Sequence, residues 1–234
     1  MNNPDWCPGC GNFIILAALK KAIKNLKLKK ENIVITSGIG CSSKLPQYID
    51  VFGLHGLHGR GIPMAQGIKM ANKKLKIIVI GGDGDVYGEG INHFISAIRD
   101  DTDITLLVHN NFNYALTKGQ DSPTTDGSLK PVSLALSQDC GFVARSTTAH
   151  MAHLTDIITK AIQYNGFSFV DILQECVIYN KKQNTKWYRE NTCLLKNNIN
   201  GKIPIGIFSN KKKKRFSIKS KTKPFKEIIV DLKY

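Results

Sequence analysis

Apolar residues recur at helical spacing early in the chain, where Ile15, Ala18, Leu19, Ala22, Ile23 and Leu26 share one face over residues 11–26. The next run, NIVITSG, is short, apolar and closed by small residues, which reads as a buried strand leading into the Gly/Ser loop SGIGCSSK. LKIIVI (75–80) and ITLLVH (104–109) carry almost no polar alternation, the pattern of inner strands of a parallel sheet covered on both faces. FVARS and FSFVDIL (167–173) read as further strands. Helices are expected over 62–72, over about 89–99, from about Val132, and where Leu154, Ile157, Ile158, Ala161 and Ile162 line up. Strands that alternate with helices predict an α/β domain with a mostly parallel sheet and helices on both faces. This domain is assigned to residues 1–196, and the Lys/Asn-rich remainder, 197–234, reads as a basic tail or partner-binding arm. The polar stretch Asn110–Lys130 has no periodicity, and a loop that long inside a compact domain is functional or disordered.

Composition narrows the class. At 234 residues and 42% hydrophobic, the chain can build one sizeable core. No run of about 18 apolar residues is present and the N-terminus lacks a secretory pattern, so no membrane association is expected and the cytoplasm is the expected compartment. The formal charge of +15 raises nucleic-acid binding. Yet the lysines are spread over helix faces, thicken only at Lys211–Lys214 and beyond, and lack interleaved aromatics. They read as AT-rich codon usage and a solvated tail, and nucleic acid is not expected as a partner.

Two places carry candidate chemistry. WCPGCG places Cys7 and Cys10 two residues apart, a spacing shared by redox dithiols, zinc half-sites and iron–sulfur half-sites. In GGDGDVYGEGINHFISAIRDDTDITLLVHNN a strand, a glycine turn with Asp83, a helix and a second strand lead to Asn110–Asn111. A βαβ unit puts Asp83 and Asn111 at the C-terminal ends of neighbouring strands, where open α/β sheets bind ligands. A carboxylate and an amide oxygen suit octahedral Mg2+ beside phosphate oxygens. Gly82 and Gly84 allow close backbone approach. The unit reads as a Mg–diphosphate clamp and resembles the thiamine diphosphate motif of GDG followed about thirty residues later by NN.

With WCPGCG, SGIGCSS, HGLHGR, GDGD, NNFNYALTKGQDSPTT and VDILQECVIYN in order, residues 5–195 resemble the β subunit of a 2-oxoacid:ferredoxin oxidoreductase. The resemblance implies thiamine diphosphate, Mg2+ and a [4Fe–4S] cluster. The cluster ligands would be Cys7, Cys10, Cys41 and Cys176. Mg2+ would be held by Asp83, Asn111 and the backbone carbonyl of Asn113. The cofactor would touch Ile39, Gly40, Cys41, Ser42, His58, Gly82, Gly84, Asp85, Ala115 and Leu116. Arg60 and Lys118 are weaker candidates for substrate or phosphate contact, and Cys140 reads as a core residue. The implied reaction is coenzyme A-dependent oxidative decarboxylation of a 2-oxo acid, 2-oxoglutarate first and pyruvate second, with electrons passed to ferredoxin. No catalytic carboxylate is assigned in this chain. The activating glutamate is expected from an α subunit, in an αβ or α2β2 assembly. Competing readings are a non-redox thiamine diphosphate-dependent decarboxylase subunit and, more remotely, a zinc-stabilised basic nucleic-acid-binding module. The chain departs from the family pattern at Ala115, where glycine is usual, at Arg99–Asp101, where a basic pair is usual, and in its tail.

Overall fold

The apolar runs become the inner strands of one sheet in a computed structural model that describes residues 3–196 and 201–213. The strands β1 (Ile33–Ser37), β3 (Lys76–Gly82), β4 (Thr105–Asn110), β8 (Ser168–Leu173) and β7 (Phe142–Thr147) are parallel neighbours, with β2 (Phe52–His55) parallel at one edge. At the other edge β10 (Ile203–Asn210) runs antiparallel to β7 and parallel to the outermost strand β9 (Thr192–Leu194), while β5 (Asn113–Tyr114) and β6 (Gln120–Asp121) pair apart from this sheet.

Alternation along each strand divides the core. Ile33, Ile35, Ile78, Ile80, Leu107, Val170 and Ile172 face the helices α1 (Asn12–Asn25) and α5 (Met151–Gln163). Ile77, Val79, Leu106, Val108, Val143 and Phe169 face α2 (Gly61–Ala71), α3 (Ile91–Asp100) and α4 (Pro131–Ser137). Burial on both faces is why these strands lack polar alternation. Phe94 and Phe169 meet edge to face at 4.9 Å in the second layer. Cys140 is buried in that layer, as its apolar context predicts, and burial pushes its thiol up to about 12.

The chain leaves β1 toward β2 and returns on the other side as β3, so the loops after β1 and β3 diverge at a topological switch point, where such sheets bind ligands. Under that crevice lies a buried polar network. Asp171, fully buried, accepts from Tyr87 Oη at 3.2 Å, Asn110 Nδ2 at 3.1 Å and Arg145 Nε at 2.9 Å.

Three elements lie outside the expected pattern. Gly84–Glu89 winds as a π-helical turn, so α3 starts only at Ile91. A helix α6 (Thr185–Asn191) precedes β9 and is N-capped by Asn184, whose side chain accepts from Trp187 N–H at 3.0 Å. The segment expected to open a separate tail supplies β10 of the main sheet, so the sheet continues through Asn210, while 197–200 and 214–234 lie outside the described residues. The Arg99–Asp101 departure has a structural account at its last residue. Asp101 ends α3 in the left-handed region (φ 47°), and its carboxylate accepts from Phe167 N–H at 2.9 Å. Among the described residues no helix is long and apolar enough to cross a membrane.

Removing one partner of a buried ion pair leaves the other charge uncompensated, at a cost of about 3–5 kcal/mol. Arg145→Met should therefore lower unfolding stability in urea by roughly 3 kcal/mol. Pairing it with Asp171→Leu should recover much of the loss. A single variant within about 0.5 kcal/mol of wild type, the range of an ordinary surface change, would contradict the assignment.

Candidate functional site

Every residue assigned from sequence to the cofactor or to Mg2+ lines one cavity of about 90 Å3 at the C-terminal ends of β1, β3 and β4. That volume is well below the roughly 300 Å3 at which enclosed small-molecule sites begin. A small-molecule ligand held here would therefore extend beyond the cavity.

Asp85 positions the cavity's walls. Its carboxylate accepts from Ile39 N–H at 3.0 Å, in the loop after β1, and from Gly59 N–H at 2.8 Å, ahead of α2. Any side chain at Gly38 would collide with this carboxylate. Burial pushes the Asp85 carboxyl up, and the two N–H donors oppose that shift. His58 Nδ1 lies 3.0 Å from Asp85 Oδ1 and 3.1 Å from Glu89 Oε2, at ion-pair distance but off the line of a hydrogen bond. Gly84 is required by the Tyr114 ring, into which a Cβ would run, and a Cβ at Gly82 would press on Ser42 Oγ at 3.3 Å.

Asp83 and the asparagines face the same space. Asp83 is buried, and Thr124 Oγ1 donates to its Oδ2 at 3.2 Å. The same hydroxyl lies 3.0 Å from Asn110 Oδ1, and its single proton serves one acceptor at a time. Asn111 Oδ1 accepts from Asn113 N–H at 3.0 Å. The buried Asn113 Oδ1 and Ser42 Oγ have no protein partner, as expected of groups that await a ligand. Ala115 lies outside the left-handed region, so its methyl strains no backbone where glycine is usual.

A second cavity, of about 300 Å3, holds Cys7, Cys10, Cys41 and Cys176 together and shares Cys41, Asn111, Ala115, Leu116 and Gln174 with the first. Local chemistry explains the convergence. Cys10 N–H closes a turn onto Cys7 O at 3.0 Å, and Gly9 takes the positive φ (82°) this turn needs. Gly11 lets the turn pack against Gln174 and Glu175, where a Cβ would meet Gln174 Cβ at 2.9 Å. Trp6 Nε1 donates to Cys41 O at 2.7 Å and so ties the N-terminal turn to the loop after β1. Cys176 follows β8, and its sulfur accepts from Tyr179 N–H at 3.5 Å.

Burial pushes Cys10 up to about 11, opposed by the backbone N–H of Asn12 and reinforced by Cys41, Cys176 and Cys7. Burial, then Cys176, raises Cys41. Cys10 and Cys41, raised by burial and by neighbouring sulfurs, would ionise readily beside a cationic centre. Among the described residues no three His, Cys, Asp or Glu side chains converge on a point suited to a single metal ion.

Arg60 and Lys118 line neither cavity. Arg60 Nη1 is bound to His93 Nε2, and Lys118 is exposed in the left-handed region (φ 80°). Cys193 lies on the edge strand β9, apart from the other thiols. The sequence reading passed over His109, Gln174, Asn12, Ser122 and Thr124. Burial pushes His109 down to about 3, so it is neutral, and its Nδ1 lies 2.7 Å from Asn12 Oδ1. The available signal was position: each of His109, Gln174 and Asn12 adjoins or lies within two residues of a motif residue.

Residues 38–172 match the family described as "Thiamine pyrophosphate enzyme, C-terminal TPP binding domain". The chain is 46% identical over 200 residues to the β subunit of 2-oxoacid:ferredoxin oxidoreductase 1 of Aeropyrum pernix, covering 80% of this chain. It spans only 63% of that relative's length. It is 36% identical over 240 residues to the 2-oxoglutarate synthase subunit KorB of Methanocaldococcus jannaschii, covering 90% of this chain and 89% of the relative. A solved 2-oxoglutarate:ferredoxin oxidoreductase from Magnetococcus marinus, with 2-oxoglutarate, coenzyme A and succinyl-CoA bound, superposes with a TM-score of 0.89 at 26% identity, covering 100% of this chain and 94% of the other.

Burial pushes Asp83 up to about 6. A carboxylate raised above its unfolded value costs stability fully above the folded pKa and not at all below the unfolded one. The cation-free chain should therefore gain stability from this group as pH falls from 7 through 6 toward 4. A divalent cation held by this carboxylate would compete with that proton, so its affinity should fall about tenfold per pH unit below 6. Asp83→Asn should raise the melting temperature of the cation-free chain at pH 7.5 and remove its response to Mg2+. A variant that melts lower and still responds to Mg2+ would contradict this placement.

Proposed function

The chain belongs to the β-subunit family of the 2-oxoacid:ferredoxin oxidoreductases, and from that premise we propose that it holds thiamine diphosphate, Mg2+ and a [4Fe–4S] cluster in the coenzyme A-dependent oxidative decarboxylation of a 2-oxo acid. The observation that carries the proposal is the shared wall between a polar cavity at the sheet's switch point and a cavity lined by four cysteines. When bound, thiamine diphosphate supplies the electron sink for loss of CO2 and the cluster supplies a carrier of single electrons.

The chain's own residues bind and orient. Asp83, the Asn111 amide oxygen and the Asn113 carbonyl are the Mg2+ ligands in this reading, with Asp83 aimed by Thr124. Ile39–Ser42, His58, Gly82, Gly84, Asp85, Ala115 and Leu116 form the cofactor wall, and Asp85 fixes that wall from beneath. Cys7, Cys10, Cys41 and Cys176 ligate the cluster. Cys41 belongs to both walls, which keeps the electron path short.

No carboxylate in the cavity is free to activate the cofactor, because Asp83 faces the metal position and Asp85 is held by two backbone donors. An α subunit supplies that carboxylate in this reading and closes the open side of the small cavity. 2-Oxoglutarate is the first choice of substrate and pyruvate the second. Relatives named for 2-oxoglutarate, and the solved relative with 2-oxoglutarate bound, support that order. Ferredoxin is the electron acceptor.

The test is anaerobic co-expression with the α subunit. The complex should be brown, carry about four iron per β chain, and reduce viologen with 2-oxoglutarate and coenzyme A. Cys7→Ala or Cys10→Ala should lose iron and viologen reduction while Mg2+-dependent thiamine diphosphate binding remains. A colourless, iron-free complex that still decarboxylates 2-oxo acids would replace the proposal with a non-redox decarboxylase.

A further inference from the structure

Between the two cavities stands a pair of fully buried polar side chains that the proposed reaction has not used. His109, on β4, lines the cofactor cavity, and Asn12, at the start of α1, lines the cysteine cavity. They meet at 2.7 Å through His109 Nδ1 and Asn12 Oδ1. Each keeps one buried polar atom without a protein partner, His109 Nε2 and Asn12 Nδ2. An unpaired buried amide nitrogen is costly, so it calls for an acceptor that the protein itself does not supply.

The planar amide settles which group faces the thiols. With Oδ1 held by His109, Nδ2 points to the opposite side and presents N–H. The reverse orientation would set a carbonyl oxygen against negatively charged sulfurs, which is repulsive. The neighbourhood already supplies donors of this kind, since Tyr179 N–H reaches Cys176 Sγ at 3.5 Å.

We propose that the Asn12 side-chain amide donates a hydrogen bond to the sulfur shell of the cluster and that His109 is the positioning residue that holds it in that orientation. The inference rests on the cluster assignment made under Proposed function and goes beyond it by naming a group that tunes the cluster. A donor to sulfur stabilises the more negative, reduced form, so it raises the reduction potential.

The test uses the anaerobic α/β complex and a redox titration of the cluster followed by electron paramagnetic resonance. Asn12→Leu keeps the shape and removes the donor. Asn12→Asp keeps the shape and replaces the donor with an acceptor. Both should keep four iron per chain and shift the potential to more negative values, with Asp shifted further. His109→Leu should shift it in the same direction by less, because the amide is then free to turn. A packing role would lower iron content or melting temperature without this ordered shift. Wild-type potential in Asn12→Leu and Asn12→Asp, with iron retained, would overturn the proposal. If both lose iron, His109→Leu decides, and a wild-type potential there overturns it too. A wild-type complex without iron would instead remove the cluster reading, and this inference with it.

Discussion

One carboxylate holds the site in shape. Asp85 leaves the turn after β3, yet its hydrogen bonds go to the loop after β1 and to the residue before the turn into α2, elements that the topology sends apart at the switch point. A charge-assisted bond to backbone N–H is among the stronger hydrogen bonds available to a protein. Here two of them fix a glycine-rich loop whose own sequence favours mobility. Gly38 is the counterpart of that constraint, because no larger residue leaves room for the carboxylate. The loop so fixed carries Ile39 through Ser42, and therefore Cys41. The geometry of both cavities thus depends on an acid that need touch no substrate.

A second buried network supports the floor. Asp171, Arg145, Tyr87 and Asn110 link β8, β7, the π-helical turn and β4, and Thr124 stands between Asn110 and Asp83. A buried charge set of this kind adds little net stability over apolar packing, but it penalises any arrangement that leaves a member unpaired. It therefore favours one register of the strand ends over others. That explains why the 110–130 segment, polar and aperiodic, is ordered around Thr124 and Thr125. Thr125 Oγ1 donates to Phe112 O at 2.6 Å and accepts from Ser122 N–H at 2.9 Å.

The inner strands were legible because burial on both faces leaves a continuous apolar run, and α1 and α5 because one face of each is buried. Edge elements carry no such signal. β2 is exposed along its whole length, so FGLH shows no pattern, and β10 alternates weakly in a Lys-rich context that reads as a tail. The π-helical turn carries no sequence signal of its own; the residue packed against its Gly84 and Gly88, Tyr114, is distant in sequence. The candidate site residues could be gathered from motif order because motifs cluster at strand ends. Arg60 was a different case. Its position beside HGLHG suggested a phosphate or substrate carboxylate, and the structure places it at the surface against His93, thirty-three residues away in sequence. The buried neighbours His109, Asn12 and Gln174 carried only a positional signal, their closeness to motif residues, because a lone polar residue beside an apolar run looks like the start of a loop or a helix.

The two cavities also differ in what rigidity must achieve. A cofactor wall needs donors and a carboxylate at fixed positions, and backbone hydrogen bonds from Asp85 provide them. The wall of the cysteine cavity draws four sulfurs from three separate segments, so it depends on ties between those segments. Trp6 provides one through the Cys41 carbonyl, and its ring is wedged edge-on between Phe13 and Tyr48 in the first core layer. Gly11 N–H provides another through the Glu175 carbonyl, at 3.4 Å. The Asn12–His109 contact adds a third, between α1 and β4. Each tie joins the N-terminal turn to a different strand end. The turn WCPGCG is thereby held by the sheet before any ligand arrives, and the folding of the α/β domain carries most of the entropic cost of assembling four thiols around one space.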